Sequence, residues 1–132
     1  MNKIISFSLW GNNPKYTVGA IRNAELSKTI YPGWKCRFYV AKDVPDDCMS
    51  RLLQIDNVEV VHKWEEDPDW KSLFWRHETC WDESVDISIF RDTDSRLGER
   101  EKAAVDAWIK TDKTFHIMRD HPFHRYTMLG GM

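Results

Sequence analysis

Strand-length apolar runs alternate with helix-forming segments along most of this chain, and that rhythm constrains the fold more than any single residue. Residues 3–10, KIISFSLW, read as a buried first strand. Asn12-Asn13-Pro14 then offers a helix start, with Pro14 near the first helical position. Tyr16, Ala20, Ile21 and Ala24 fall on one face of that helix, and Pro32-Gly33 ends it. Residues 35–41, KCRFYVA, read as a second strand, Pro45-Asp46-Asp47 opens a short helix running to about Gln54, and residues 57–62, NVEVVH, read as a third strand. Glu65 to Asp69 is a solvated acidic turn. From Asp69 to about Trp81 the residues Trp70, Leu73, Phe74, His77, Cys80 and Trp81 keep helical spacing, which predicts an amphipathic helix. Residues 85–91, VDISIFR, read as a fourth strand. Gly98 and Glu101 have the spacing of an N-cap and its partner, and Ala104, Val105, Trp108 and Ile109 make the apolar stripe of the helix they open. Residues 114–118, TFHIM, read as a fifth strand, and the last dozen residues as irregular.

This order predicts an α/β, Rossmann-like architecture: one domain over residues 1–132, with a mostly parallel central sheet and helices on both faces. In such sheets ligands bind beyond the carboxyl ends of the strands, which ranks the candidate motifs before any chemistry. The formal net charge of −2 gives no footprint for nucleic acid or for an anionic membrane. No apolar run approaches the length of a membrane span. Cys36, Cys48 and Cys80 have no CxxC spacing and read as free thiols, so a cytoplasmic location is expected. The run from Ile4 to Trp10 is short and passes at once into Gly11-Asn12-Asn13-Pro14, so it reads as a strand and not as a leader. Seven Trp in a chain of this size lean towards a ligand site, because indole rings stack on bases and sugars as well as filling cores.

Asp92-Thr93-Asp94 sits where the fourth strand should end. A turn starting at Asp92 can bring both carboxylates round one ion. Hard divalent cations such as Mg²⁺ and Mn²⁺ take oxygen ligands and keep water and substrate phosphate oxygens in the rest of the shell. Two carboxylates plus a diphosphate therefore make a complete design, in which the cation neutralises charge on a leaving diphosphate. The competing reading of Asp-x-Asp alone is a polar turn with a capping aspartate. A calcium loop is excluded, because counting from Asp92 the sixth position is Leu97 where glycine is required and the twelfth is Ala103 where glutamate is required. A phosphatase with a nucleophilic aspartate also uses Asp-x-Asp, but after its first strand, and here the motif follows the fourth.

The stretch Phe90-Arg91-Asp92-Thr93-Asp94-Ser95-Arg96-Leu97, with Arg100-Glu101 and Ala104-Val105-Asp106-x-Trp108 after it, resembles nucleotide-sugar-dependent glycosyltransferases of the GT-A fold, in particular a bacterial and viral group. So do His116-Ile117-Met118-Arg119-Asp120-His121-Pro122 and the closing Leu129-Gly130-Gly131-Met132. The general likeness covers nearly the whole chain, and the specific motifs lie within about residues 73–132. The resemblance implies a metal-dependent hexosyltransferase that moves a sugar, glucose being favoured, from a UDP-sugar to an unspecified acceptor hydroxyl. It implies Mn²⁺ or Mg²⁺ as cofactor on Asp92 and Asp94, and the host cytoplasm as the compartment of a viral member. A nucleotide-sugar-binding domain without productive catalysis is the alternative.

Further residues carry over from the same likeness. Ser8, Leu9, Trp10 and Gly11, at the end of the first strand, match the segment that binds base and ribose, and Thr93 lies between the two carboxylates. Tyr16 can supply a ring to stack on the base, while core packing explains Trp10 and Tyr16 equally well. Arg76, in the helix before the motif, matches an Arg or Lys that related transferases bring to the donor diphosphate or sugar, with surface ion pairing as the alternative. Arg91 and Arg96 flank the carboxylates and suit either diphosphate or the acidic turn itself. Asp120 and His121 match the region that meets donor sugar or acceptor, where a carboxylate acts as general base, and a polar turn before Pro122 is the plainer reading. His121 and His124 make a poor zinc signature, and His62, His77 and His116 read as core histidines. Leu129-Gly130-Gly131-Met132 resembles an acceptor-side loop. Many members continue with a tail that closes over the nucleotide and supplies a third metal ligand. Here a pared-down enzyme, a truncated gene or half of a homo-oligomer is expected, with water and the donor's phosphates completing the shell and donor hydrolysis favoured.

Overall fold

Continuous burial along the first two strands requires a sheet covered on both sides, and the computed structural model, which describes residues 1–118, has that arrangement. Strand β1 (Lys3–Leu9) points Ile5, Phe7 and Leu9 to one face and Ser6 and Ser8 to the other. Helix α1 (Pro14–Ile30) follows, with Asn13 Oδ1 accepting from the Lys15 N–H and Pro14 in the first turn. Then come β2 (Lys35–Ala41), α2 (Asp46–Leu53) and β3 (Val58–Lys63). A 3₁₀ helix (Trp70–Trp81), β4 (Ile87–Phe90) and α3 (Glu99–Ile109) complete the order.

All four strands are parallel, in the order β3-β2-β1-β4. The architecture is thus α/β with a parallel sheet flanked by helices, as the alternation predicts. The main core joins Ile5, Phe7 and Leu9 of β1 and Cys36, Phe38 and Val40 of β2 to Ala20, Ile21 and Ala24 of α1, Leu52 of α2 and Val105 of α3. Phe7 and Phe38 are register partners, and their rings stack with centroids 4.7 Å apart. On the opposite face a smaller cluster gathers Tyr39, Ala41, Trp75 and the partly buried Trp10 under the 3₁₀ helix. The three cysteines are free thiols, and burial pushes that of Cys36 up to about 11. No described helix is long and apolar enough to cross a membrane.

Two expectations are corrected. The fifth strand over residues 114–118 does not form among the described residues. Trp108 at the end of α3 captures this segment: its Nε1–H donates to the Lys113 carbonyl at 2.9 Å and its ring stacks on His116, leaving Phe115 exposed. His116 is therefore no strand residue. The helix after Asp69 is wound with 3₁₀ geometry and buries a different face from the one its 3.6-residue spacing predicts. Ser72, Trp75, Arg76 and Thr79 point inward, while Trp70, Phe74, Cys80 and Trp81 are exposed. The cause is polar: Ser8 Oγ donates to the Leu73 carbonyl at 3.0 Å and Ser6 Oγ to the Arg76 carbonyl at 2.6 Å, so β1 grips the helix by its main chain.

Candidate functional site at the switch point

Chain order reverses between β1 and β4, since β2 and β3 extend the sheet on one side of β1 and β4 returns on the other. The carboxyl ends of β1 and β4 therefore diverge into a crevice, the place where open parallel sheets bind ligands. A cavity of about 500 Å³ occupies it, lined by Ser8, Leu9, Trp10, Gly11, Asn12, Asn13, Tyr16, Leu73, Arg76, Asp92, Thr93 and Asp94. That volume suits a nucleotide-sized ligand. Ser8 to Gly11, Tyr16, Arg76 and Asp92 to Asp94, all singled out in the sequence, meet in this one cavity. Asp120 and His121, together with His124 and Leu129-Gly130-Gly131-Met132, lie outside the described residues.

Each wall has a local cause. Gly11, two residues beyond β1, has φ +79°, a conformation that favours glycine, and its N–H donates to Asp43 Oδ1 at 2.8 Å. This turn directs the chain into α1, whose first residues close one side. Tyr16 stands 38% exposed there, so it is available to a ligand and is not a core residue. Trp10 does both things foreseen for it, packing on the Tyr39–Trp75 cluster and lining the cavity.

Arg76 forms the base. It is 1% exposed, and its Nη1 donates to the Arg91 carbonyl at 3.0 Å and to Asp92 Oδ1 at 2.6 Å. Its N–H donates to Ser8 Oγ at 3.0 Å, so the end of β1 and the Asp92 turn are joined through one residue. Asp94 sits at the rim, its Oδ2 3.7 Å from Lys15 Nζ at the start of α1. His77, beside Arg76, has its pKa lowered by burial and by that guanidinium.

The flanking arginines now separate. Arg91 is buried and ion-paired with Glu101, outside the cavity lining. Glu101 also accepts the Tyr31 hydroxyl at 2.8 Å and the Gly98 N–H at 3.1 Å. Burial, and then Glu101, push the Tyr31 hydroxyl far above its ordinary pKa. Arg96 reaches the Thr93 carbonyl at 3.4 Å. Arg96 thus braces the main chain of the acidic turn, while Arg91 ties Glu101 of α3 to Ser95 just beyond it.

Sequence reasoning missed Gly19, Asn23, Leu73, Asn12 and Asn13 as parts of the site or its support. Asn12 and Asn13 were legible only as a helix start. A Cβ on Gly19 would lie 1.9 Å from the Thr93 carbonyl oxygen, so α1 passes directly against the turn. Asn23 is fully buried and bonds the same loop, with Nδ2–H donating to the Ser95 carbonyl at 2.9 Å and Oδ1 accepting the Leu97 N–H at 3.0 Å.

The donor set fits a hard divalent ion held by two protein carboxylates. Among the described residues no group of three or more His, Cys, Asp or Glu gathers for a metal. Comparison with protein-family models and with curated proteins gives no match.

Proposed function

We propose that this chain is a metal-dependent glycosyltransferase of GT-A type that takes a UDP-sugar, with UDP-glucose the favoured donor, and transfers the sugar from C1 to an acceptor hydroxyl. The observation that supports this reading is the single cavity at the switch point, which combines the end of β1 and Tyr16 with Asp92, Asp94 and Arg76. On this reading the main chain of Ser8 to Gly11 meets the base edge and Tyr16 stacks on it. Asp92 and Asp94 would hold Mn²⁺ or Mg²⁺, whose charge offsets that growing on the departing UDP. Arg76 orients Asp92, and lies close enough to the turn to meet the diphosphate side of the donor. The C1–O bond to the diphosphate breaks, C1 bonds to the acceptor oxygen, and the acceptor proton passes to a base.

Calorimetry with and without Mn²⁺ tests it. The expected result is UDP binding in preference to GDP and ADP, lost on chelation and in Asp94→Ala, with UDP released from a UDP-sugar. Equal UDP binding without metal removes the role given to the aspartates. Metal-dependent binding with no UDP release from any UDP-sugar reduces the chain to a binding domain.

A further inference from the structure

Asp92 and Asp94 stand on a short turn, and two carboxylates can share an ion only within a narrow range of separations. What sets that separation comes from elsewhere in the fold. Helix α1 lies along the turn with successive turns in contact: Lys15 near Asp94, Gly19 under the Thr93 carbonyl, and Asn23 on the main chain of Ser95 and Leu97. The Asn23 carboxamide is 0% exposed and uses both ends, as donor and as acceptor. Only Asn and Gln offer an NH₂ donor and a carbonyl acceptor side by side on one planar group, and Gln is one methylene longer. Such a buried amide closes the loop like a strand partner, and its loss would leave a main-chain N–H and C=O without their bonds.

We propose that Asn23 is a positioning residue for the Asp92–Asp94 pair: by fixing the main chain immediately beyond Asp94, it sets the geometry at which the two carboxylates take a divalent cation. The inference rests on the metal role proposed above for those aspartates. Asn23 does not line the cavity, and acts through the turn. Outer partners of metal ligands commonly alter metal affinity by about 10- to 100-fold when removed.

The test uses the full chain as wild type, Asn23→Ser and Asn23→Asp, with Asp94→Ala as control. Residue-resolved hydrogen exchange reads the turn, and water-proton relaxation reads Mn²⁺ uptake in the presence of UDP. The expected result is a folded Asn23→Ser protein in which the Leu97 amide exchanges at least about tenfold faster and the Mn²⁺ Kd rises about tenfold or more. Thermal midpoint and amide exchange away from the turn stay close to wild type, which a general loss of structure would not allow. Asn23→Asp, which lacks the donor and sets a carboxylate against the Ser95 carbonyl, goes further in the same direction. Wild-type Mn²⁺ affinity in folded Asn23→Ser overturns the proposal, as does weaker Mn²⁺ uptake accompanied by faster exchange throughout the described residues. A Leu97 amide that exchanges in wild type like a free one overturns it without any variant. Should wild type take up no Mn²⁺, the metal reading of the aspartates fails by itself, and Leu97 exchange alone then decides whether Asn23 fixes the turn.

Discussion

Arg76 Nη1 lies 2.6 Å from Asp92 Oδ1, and the arginine is 1% exposed while the aspartate side chain is 45% exposed. The charge at risk in this pair is therefore the buried guanidinium. Among the described residues Asp94 pairs instead with the largely exposed Lys15 at 3.7 Å, a weaker tie. The two carboxylates thus share a cavity but not a structural role. Asp92→Asn should cost about 1–2 kcal/mol, because a charge-assisted bond to a buried donor becomes a neutral one. Asp94→Asn should change stability by less than about 0.5 kcal/mol. Both should abolish metal-dependent UDP binding. Denaturant unfolding beside calorimetry separates the effects, and equal destabilisation by the two variants would contradict the asymmetry.

Gly19→Ala should destabilise the protein even though alanine is the better helix former by about 1 kcal/mol. The added methyl has no room, since the atom 1.9 Å away is main-chain oxygen of Thr93 and cannot swing aside. Either α1 or the acidic turn must move, and overpacking of this kind costs about 1–3 kcal/mol. Thermal unfolding should show a lower midpoint, and nucleotide binding should weaken although Gly19 does not line the cavity. A higher midpoint would mean that the turn yields freely.

His77 gives a pH dependence with a definite sign. It packs between Phe74 and Phe90, with ring centroids 6.3 and 4.5 Å away, and burial together with Arg76 lowers its pKa below 6.5. In the window between the folded and unfolded pKa values the unfolded chain binds the extra proton. The stability contributed is present above about pH 6.5 and is lost as pH falls through the lowered folded value. His77→Gln should flatten the fall in urea midpoint between about pH 7 and pH 5, with the residual slope due in part to His116, whose pKa burial also lowers. An unchanged slope would show that His77 titrates alike in both states.

The sequence made the sheet and the place of the cavity legible for simple reasons. Continuous apolar runs such as KIISFSL and KCRFYVA suit strands buried on both faces. A motif closing the strand beside β1 then has to fall at the carboxyl edge. The support of the site was much less legible. Asn23 is one of several polar residues on the buried face of α1, with Thr17 and Ser27, and its partners lie 72 and 74 positions further along the chain, where no local pattern points. The inward face of the 3₁₀ helix was misread because the decisive groups, the Ser6 and Ser8 hydroxyls, belong to another element. Residues 114–118 alternate like a strand, but a single indole N–H on Trp108 ties the segment to α3.

That 3₁₀ helix yields the sharpest contrast between neighbouring tryptophans. An α-helical stripe would bury Trp70 and Trp81 and expose Trp75. The observed exposures are 68% and 78% against 7%, the reverse order. Trp75 packs in the cluster with Tyr39 and Ala41, and its Nε1–H donates to Glu66 Oε2 at 2.6 Å, so truncation removes both packing and a hydrogen bond. Trp75→Ala should therefore cost about 3–5 kcal/mol. Trp70→Ala and Trp81→Ala should stay within about 0.5 kcal/mol of the parent. Because Trp75 lies beneath the same helix that supplies Leu73 and Arg76 to the cavity, its loss should also weaken UDP binding at temperatures where the variant is still folded. Three single variants, followed by tryptophan fluorescence on denaturation, decide between the two windings. A large cost at Trp81 with little at Trp75 would restore the α-helical register and move Arg76 off the base of the site.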